Sequence, residues 1–335
     1  MAKIKPIFQV KSKPWLPMSL TLSSMLFLMG CELEMKPDGQ LVDAELDPLH
    51  SSALTHNDQY VCDPLGGNGG AQGDRLGIQG KLFHIPEYAR TTAEVGPLLD
   101  QSVRVQADLY LNDINVPTRP FDRGFQLANG QVIQKPNGDT LYEYFGFDLN
   151  AKLQLGDLEP GHYQFALLSD DGAILSLDAE GNGLQPWVNN DGLHPTRFAC
   201  ASETVFIDHG SQIPMQLQYY QGPRYHIALM LLARKVDELD HQNAQFLNDP
   251  ACGSLGNSRF FDSNRPQSPP QQAFLDLQAR GWRVLAANNF SLPDTAKENP
   301  CQNIEPQEPI VSTKPPVSIT EPCTGLNCAN GGIGI

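Results

Sequence analysis

Two adjacent carboxylates, Asp170 and Asp171, are followed by Gly172 and lie between two apolar runs of the sequence. Apolar and aromatic residues dominate 162–168 and 173–177, so the pattern predicts two strands joined by a tight turn. Neighbouring carboxylates repel each other unless a cation or hydrogen-bond donors compensate their charge. Calcium prefers hard oxygen ligands and suits such a pair. The alternative is a plain hairpin turn, in which one Asp accepts backbone N–H bonds.

Cys31 is a second residue with predictable chemistry. It follows an apolar stretch at 16–29, and the residues before that stretch carry four lysines. The stretch is too short to span a bilayer as a helix, but it has the length expected of the apolar part of a secretion signal. Gly30-Cys31 resembles the lipobox of bacterial lipoproteins, which implies removal of residues 1–30 and attachment of lipid to Cys31. The alternative is an ordinary signal peptide with a chance cysteine.

The lipobox resemblance also implies a location. In some bacteria an Asp directly after the lipidated Cys retains lipoproteins at the inner membrane, whereas this chain has Glu32. We therefore expect a membrane partner through the lipid anchor, at the bacterial outer membrane, with the face of that membrane left open.

The chain is acidic, with a formal charge of −15 over 335 residues, and the predicted signal peptide carries only positive charge. Nucleic acid is not an expected partner, because phosphate contacts need clustered Lys and Arg. An acidic surface suits solubility and the binding of hard cations.

The cysteines indicate disulfide bonds. Lipidation of one of the seven leaves six, and an even number in an exported chain is typical of disulfide pairing. Six cysteines allow fifteen pairings, so the sequence leaves the connectivity open. No CxxC pair or Cys/His spacing supports a metal site instead. The pairing that we predict is Cys323–Cys328, Cys252–Cys301 and, as the remaining pair, Cys62–Cys200.

Residues 76–235 show the period-two pattern of strands that are buried on one face. Turn signals such as Asn129-Gly130 and Asn137-Gly138 separate the strands. Many short strands with regular turns predict an all-β fold, an antiparallel β-sandwich. Alternating runs occur at 103–111, 163–167, 215–219 and 225–231.

The regions on either side of the predicted sandwich differ in composition. Residues 31–75 are rich in glycine and polar residues, which predicts a flexible tether. Residues 236–301 predict a small C-terminal α/β appendage tied by a disulfide. Residues 302–335 are rich in proline, which favours an extended tail.

Within the appendage, the sequence predicts two helices and a strand. The first helix is expected at 236–247, and the second at 270–280 with Ser268 as its cap. The strand is expected at 282–285.

Several segments together resemble the β-sandwich module named after the protective-antigen component of anthrax toxin, which also occurs in flocculin-type lectins. The segments are GIQGKLFHI at 77–85, HYQFALLSDDGAILSLD at 162–178, VNNDGLH at 188–194 and IPMQLQYYQGPRYHIALML at 213–231. Their order and spacing extend over roughly half the chain, the size of one domain. The resemblance implies a sandwich fold and carbohydrate binding.

The resemblance also implies a set of calcium ligands. In the lectin members, an Asp-Asp pair joined by a cis peptide binds calcium together with an Asn side chain and backbone carbonyls of a second loop. Asp170 and Asp171 match the pair, and the loop corresponds to residues 221–225. Gln221 stands where the lectins have Asn, and Pro223 and Tyr225 would supply the carbonyls. Gln has the same amide oxygen on a longer side chain. The sequence therefore leaves open whether Gln221 keeps the role of a calcium ligand.

Three residues near the proposed ion are candidates for contact with a sugar. Trp187 and Tyr225 could stack on a sugar face, although the sequence favours a buried aromatic of a strand for each of them. Arg224 could donate to a hydroxyl or carboxylate of a glycan, or could only cover the loop.

We therefore expect a lipid-anchored envelope protein that binds a carbohydrate or glycoconjugate, with calcium as the ion, in adhesion or recognition. No HExxH or GxSxG motif supports catalysis, so an enzyme is not expected. One alternative is an assembly role, in which the domain docks onto another envelope protein without sugar or metal. A second alternative is an unrecognised enzyme site in the appendage.

Overall fold

The computed structural model describes residues 59–66, 73, 75–90, 94–296 and 298–301. These residues form two β-sheets with a few short helices around them. The strands are β1 (Tyr60–Cys62), β2 (Ile78–His84), β3 (Val103–Leu111), β4 (Asn115–Pro120), β5 (Phe145–Leu153), β6 (Gly161–Asp170), β7 (Ala173–Leu177), β8 (Gln185–Asn190), β9 (Arg197–Ile207), β10 (Ile213–Gln221), β11 (His226–Val236), β12 (Arg283–Val284) and β13 (Phe290–Ser291). The α-helices are α1 (Val95–Asp100), α2 (Ala244–Leu247) and α3 (Gln272–Ala279), and 3-10 turns occur at Glu87–Ala89 and Ala287–Asn289.

The two sheets make a β-sandwich, as the sequence predicts. The first sheet has the order β1-β3-β2-β5-β10-β7-β8, and β13 also pairs with β5. The second sheet has the order β12-β11-β6-β9, and β4 also pairs with β11. Every pairing between these strands is antiparallel except β1 with β3. The core between the sheets is rich in aromatic rings, which bury a large apolar area per residue, including those of Phe125, Phe145 and Phe147.

Strand β6 is buried on both faces, so the one-sided alternation predicted at 163–167 is wrong for this strand, and 165–168 is a continuous apolar run. Phe165 and Leu167 face the core between the sheets. Ala166 and Leu168 face a second apolar cluster, which they form with Phe260 and Trp282 of the C-terminal segment.

Residues 236–301 are expected from the sequence to form an appendage docked on the sandwich, but they contribute strands to both of its sheets. Strand β12 pairs with β11 of the second sheet, and β13 pairs with β5 of the first. The predicted strand at 282–285 is therefore an extra edge strand of the sandwich.

The helices of this segment are shorter than predicted. The first occupies only Ala244–Leu247, because β11 continues to Val236 and Asn243 caps α2 by accepting from the Gln245 N–H at 3.0 Å. The second occupies Gln272–Ala279, and Gly281, with φ of +88°, follows its end. Ser268 does not cap α3, whose N-cap residue is Gln271.

The predicted pairings Cys62–Cys200 and Cys252–Cys301 are wrong. The bonds are Cys62–Cys301 and Cys200–Cys252, each with 5.6 Å between the two Cα atoms. Cys62 and Cys200 lie in strands of different sheets, β1 and β9. Cys200 and Cys252 both pack against the second apolar cluster. The pairing depends on which sheet, and which face of that sheet, each cysteine occupies, and the sequence does not show this.

Part of the predicted tether is also structured. Tyr60–Cys62 forms β1 and pairs in parallel with β3, and Val61 is buried. Cys31, Cys323, Cys328, the predicted signal peptide and the proline-rich residues 302–335 lie outside the described residues. Among the residues that are described, no helix is both long enough and apolar enough to cross a bilayer.

Candidate functional site

Three loops meet around Asp170 and Asp171 at one end of the sandwich. Asp170 is the last residue of β6, and β7 begins three residues later at Ala173. Ala173 is in register with Tyr219 of β10 and with Asn190 of β8. The ends of β8 and β10 therefore bring the loops at 191–196 and 222–225 next to the Asp pair.

Two glycines allow the loops to approach closely. A Cβ on Gly172 would lie 2.4 Å from Cε1 of Tyr220, too near for any real contact. A Cβ on Gly222 would lie 2.9 Å from Cδ2 of Leu193 and 3.1 Å from Oδ2 of Asp171. A side chain at either position would push the loops apart.

Asp171 is held by backbone donors from both neighbouring loops. Its Oδ1 accepts from the His194 N–H at 3.0 Å, and its Oδ2 accepts from the Gly222 N–H at 2.9 Å. The Gln221 side chain adds a longer contact, with 3.5 Å between Nε2 and Oδ2. These bonds fix the carboxylate but bring no full positive charge to it.

Asp170 has fewer donors. Its Oδ2 lies 3.4 Å from the Thr196 hydroxyl, which donates to it, and its backbone carbonyl accepts from the Tyr219 hydroxyl at 2.6 Å. The peptide bond between Asp170 and Asp171 is cis. Both side chains are almost completely buried, at 6 % and 7 % exposure.

Burial disfavours the charged form of both carboxyl groups. It raises the pKa of Asp170 from 3.8 to about 8, with a further contribution from the neighbouring charge of Asp171. It raises the pKa of Asp171 to about 6, although the Gly222 and His194 N–H groups lower it in part. No Lys, Arg or His of the described chain forms an ion pair with either group. The pair therefore lacks a counter-charge that would keep both groups ionised near neutral pH.

The amide of Gln221 lies beside this pair and is itself buried. Its Nε2 donates to the carbonyl of Pro223 at 3.2 Å, and its Oε1 accepts from the Tyr219 hydroxyl at 2.9 Å. Tyr219 has a single hydroxyl hydrogen, so it cannot donate to Gln221 and to the Asp170 carbonyl at the same time.

The rest of the 222–225 loop forms an exposed rim over the carboxylates. Tyr225 is 37 % exposed, and its carbonyl accepts from the Phe121 N–H at 3.1 Å. Arg224 is about half exposed and lies over the Tyr142 ring. Leu193, on the neighbouring loop, is 63 % exposed. The rim offers one aromatic, one cationic and one aliphatic side chain to solvent.

Trp187 does not belong to this rim. It lies three residues before the Asn190 end of β8, which is about 10 Å along the strand. Its ring packs against the core between the sheets and lines a separate cleft of about 300 Å³. Its Nε1 is buried and has no hydrogen-bond partner among the described residues. Of the three predicted sugar contacts, the structure brings only Arg224 and Tyr225 to the site.

Sequence reasoning missed three residues that shape the site: Thr196, His194 and Tyr219. Tyr219 could have been found, because in a strand it shares a face with Gln221 two residues later. Thr196 and His194 carry no local signal, since only the folded course of the 191–196 loop brings them to the carboxylates.

Fold and site together define an all-β sandwich with a buried carboxylate pair at one end. No protein-family model and no curated protein matches the chain. Among solved structures, it is similar to the PA14 sugar-binding domain from an RTX adhesin, with 15% identity, 48% of this chain and 90% of that chain covered, and a TM-score of 0.34.

Two further solved structures are similar over about the same share of the chain. One is the PA14 domain of the antifreeze protein MpAFP, with 15% identity, 50% and 87% coverage of the two chains and a TM-score of 0.36. The other is the epithelial adhesin 6 A domain from Candida glabrata in complex with Galb1-3GlcNAc, with 15% identity, 52% and 86% coverage and a TM-score of 0.29.

Proposed function

We propose that this chain is a carbohydrate-binding adhesion or recognition protein that uses calcium at Asp170 and Asp171. The observation that carries the proposal is the buried carboxylate pair, which has no counter-charge and lies beneath an exposed rim. In the same proposal, Cys31 carries the lipid that anchors the chain to the bacterial outer membrane. No residue is assigned a catalytic role.

The oxygen atoms at the site are those that calcium prefers. When ionised, Asp170 and Asp171 would supply charged oxygens. The carbonyls of Pro223 and Tyr225, which accept from Gln221 and Phe121 in this structure, would supply further oxygens from the neighbouring loop. A bound calcium ion would neutralise the pair and offer remaining coordination positions to sugar hydroxyls. Because neither carboxylate forms an ion pair with a described side chain, no salt bridge has to break first.

Gln221 can contribute an oxygen if its amide turns over. In the present orientation Nε2 faces Asp171 and the Pro223 carbonyl. After a half-turn, Oε1 would face them, and Nε2 would donate to the Tyr219 hydroxyl. That hydroxyl would then be free to donate to the Asp170 carbonyl alone, so the half-turn resolves the competition for its single hydrogen. Replacement of Asn by Gln is therefore compatible with an ion at this site.

The rim gives the site its contacts for a glycan. Tyr225 presents an exposed ring on which the apolar face of a sugar can stack. Arg224 presents exposed N–H donors for hydroxyl or carboxylate groups. Leu193 adds an apolar edge. The ligand class that we propose is a glycan or glycoconjugate with adjacent hydroxyls.

Calcium should stabilise the protein. Sites of the extracellular type bind calcium at about 0.1–1 mM, so 10 mM calcium should raise the free energy of unfolding by about 1.4–2.7 kcal/mol. Urea unfolding at pH 8, with calcium and with chelator, measures this difference. The increase should disappear in Asp171→Asn and persist in Asp178→Asn, a matched change at the other end of β7.

The calcium effect should also depend on pH. The pKa values of Asp170 and Asp171 are higher in the folded than in the unfolded state, so the folded state binds protons more tightly. Without calcium, the free energy of unfolding should therefore fall as the pH rises from about 4 to about 8. At pH 8, few protons compete with calcium for the two carboxylates. At pH 5, protons occupy them, so the stabilising effect of calcium should be much smaller. An equal effect at both values would contradict binding at this pair.

Glycan binding should require the ion. On a glycan array, the purified protein should bind a defined set of sugars in calcium and lose that binding in chelator. Asp171→Asn should abolish the signal, and Tyr225→Ala should reduce it while leaving the calcium-dependent stabilisation intact. If calcium stabilised the protein but no glycan bound, the ion would have only a structural role, and the proposal of carbohydrate binding would be wrong.

A second candidate function is docking onto another envelope protein. Residues 236–301 expose four large apolar side chains, and such side chains are typical of protein contacts when they lie together. They are Leu239 at 94 %, Phe246 at 54 %, Leu255 at 55 % and Leu275 at 43 % exposure. Absence of both calcium stabilisation and glycan binding would favour this candidate.

A further inference from the structure

Three side chains with metal-binding chemistry meet far from the carboxylate pair. His162 is near the start of β6, eight residues and about 26 Å of strand from Asp170. Glu238 and His241 lie in the turn that follows β11, which is in register with β6. One ligand atom from each of the three residues lies within 4.8 Å of the other two.

The hydrogen bonds of His241 leave one of its nitrogens available for a metal. Its Nδ1 lies 2.6 Å from the backbone carbonyl of Glu238. A carbonyl oxygen only accepts, so Nδ1 carries the proton and Nε2 keeps its lone pair. A histidine that binds a metal through one nitrogen commonly donates the other N–H to a carbonyl in this way.

His162 has the same arrangement, through Thr204. The Thr204 hydroxyl donates to the His241 carbonyl at 3.3 Å, so it can only accept from Nδ1 of His162, at 3.4 Å. Nε2 of a neutral His162 then also keeps its lone pair. That nitrogen lies 3.4 Å from Oε2 of Glu238, so two acceptors face each other without a hydrogen between them. A proton on His162 or a metal ion between the two atoms would resolve this.

The 3.4 Å separation fits a specific metal. Zinc binds nitrogen and oxygen ligands at about 2.0–2.1 Å, so two ligand atoms at tetrahedral positions lie about 3.3–3.4 Å apart. Two imidazoles and one carboxylate are a typical zinc donor set, whereas calcium and magnesium prefer oxygen ligands throughout. The imidazole rings of His162 and His241 stack at 3.8 Å, so His241 must turn for its Nε2 to converge. That rotation would give up the bond from Nδ1 to the Glu238 carbonyl in exchange for the metal.

We propose that His162, Glu238 and His241 form a zinc site with a fourth position open to water. The site is independent of the calcium proposal, because it shares no residue or loop with the carboxylate pair. Bound zinc would join the start of β6 to the turn after β11 and so stabilise the segment that leads into α2.

The test is zinc binding by the purified full-length protein after treatment with chelator. Calorimetry at pH 7.5 should show one zinc ion per chain, and both His162→Gln and His241→Gln should weaken its binding at least tenfold. His209→Gln, at an exposed histidine in the turn after β9, should leave the affinity unchanged.

A second readout separates loss of the site from a folding defect. Cobalt bound in place of zinc should give the visible absorption of a tetrahedral site, and that absorption should be lost in His241→Gln. The chelator-treated variant should keep the thermal stability of the unaltered protein, since the Gln side chain can still donate to the Glu238 carbonyl. Zinc binding that persists in both histidine variants, or no zinc binding at all, would overturn the proposal.

Discussion

Asp249→Ala should lower the free energy of unfolding by about 3–5 kcal/mol, because it leaves buried donors without an acceptor. Asp249 is 2 % exposed and accepts from Arg280 Nε at 2.8 Å and from Trp282 Nε1 at 2.9 Å. Burial alone would raise its pKa, but the bonds from Arg280, Ala251 and Trp282 hold the pKa below its ordinary value. Asp249 therefore holds Arg280 and Trp282 against the turn at 249–251, and its ion pair with Arg234 of β11, at 3.4 Å, joins these residues to the second sheet.

Urea unfolding measures this loss, and two variants calibrate it. Asp276→Ala removes an exposed carboxylate of α3 that contacts only the Gln272 side chain among the described hydrogen bonds, and it should change stability little. Asp249→Asn keeps one acceptor oxygen and should fall between the other two. A loss below about 1 kcal/mol in Asp249→Ala would mean that water readily replaces the carboxylate.

Removal of the Cys62–Cys301 bond should have an effect of similar size. The two residues are 239 positions apart, so the bond restricts most of the unfolded chain, and the chain-entropy relation gives about 5 kcal/mol for it. Cys200–Cys252 spans 52 positions, for which the same relation gives about 4 kcal/mol. The double variant Cys62→Ser with Cys301→Ser should therefore be less stable than Cys200→Ser with Cys252→Ser.

Peptide mapping without reduction provides the check on this comparison. Fragments that contain residues 62 and 301 should remain linked, as should those that contain 200 and 252. A linked fragment with residues 62 and 200 would restore the pairing predicted from the sequence. Equal stability of the two double variants would mean that residual structure in the unfolded chain outweighs loop length.

The sandwich could be predicted because its information is local. Period-two alternation and turn residues identify strands from a few neighbours at a time, and the alternation held for β3 and β10. It did not hold for β11, which is a strand but is buried on both faces over most of its length. The disulfides could not be predicted in the same way. Cys62 and Cys301 meet only because the end of the described chain lies beside the first sheet, where Asn299 donates to the Leu76 carbonyl at 3.0 Å.

The same distinction applies to the two sites. Asp170 and Asp171 are adjacent in sequence, so their repulsion is visible without a structure. Thr196 joins them only through the fold, and Trp187 was assigned to them only because it is near in sequence. The zinc ligands are the extreme case, since His162 and Glu238 are 76 positions apart and match no known spacing of metal ligands.

The Cys62–Cys301 bond also has a mechanical consequence. It links the first described strand to the last described residue, so the chain enters and leaves the sandwich through one covalent junction. Tension between the segments before residue 59 and after residue 301 would pass through β1 to that junction, so it would load the pairing of β1 with β3. A pull on the two flanking segments would therefore leave the strands between Cys62 and Cys301 outside the path of the force.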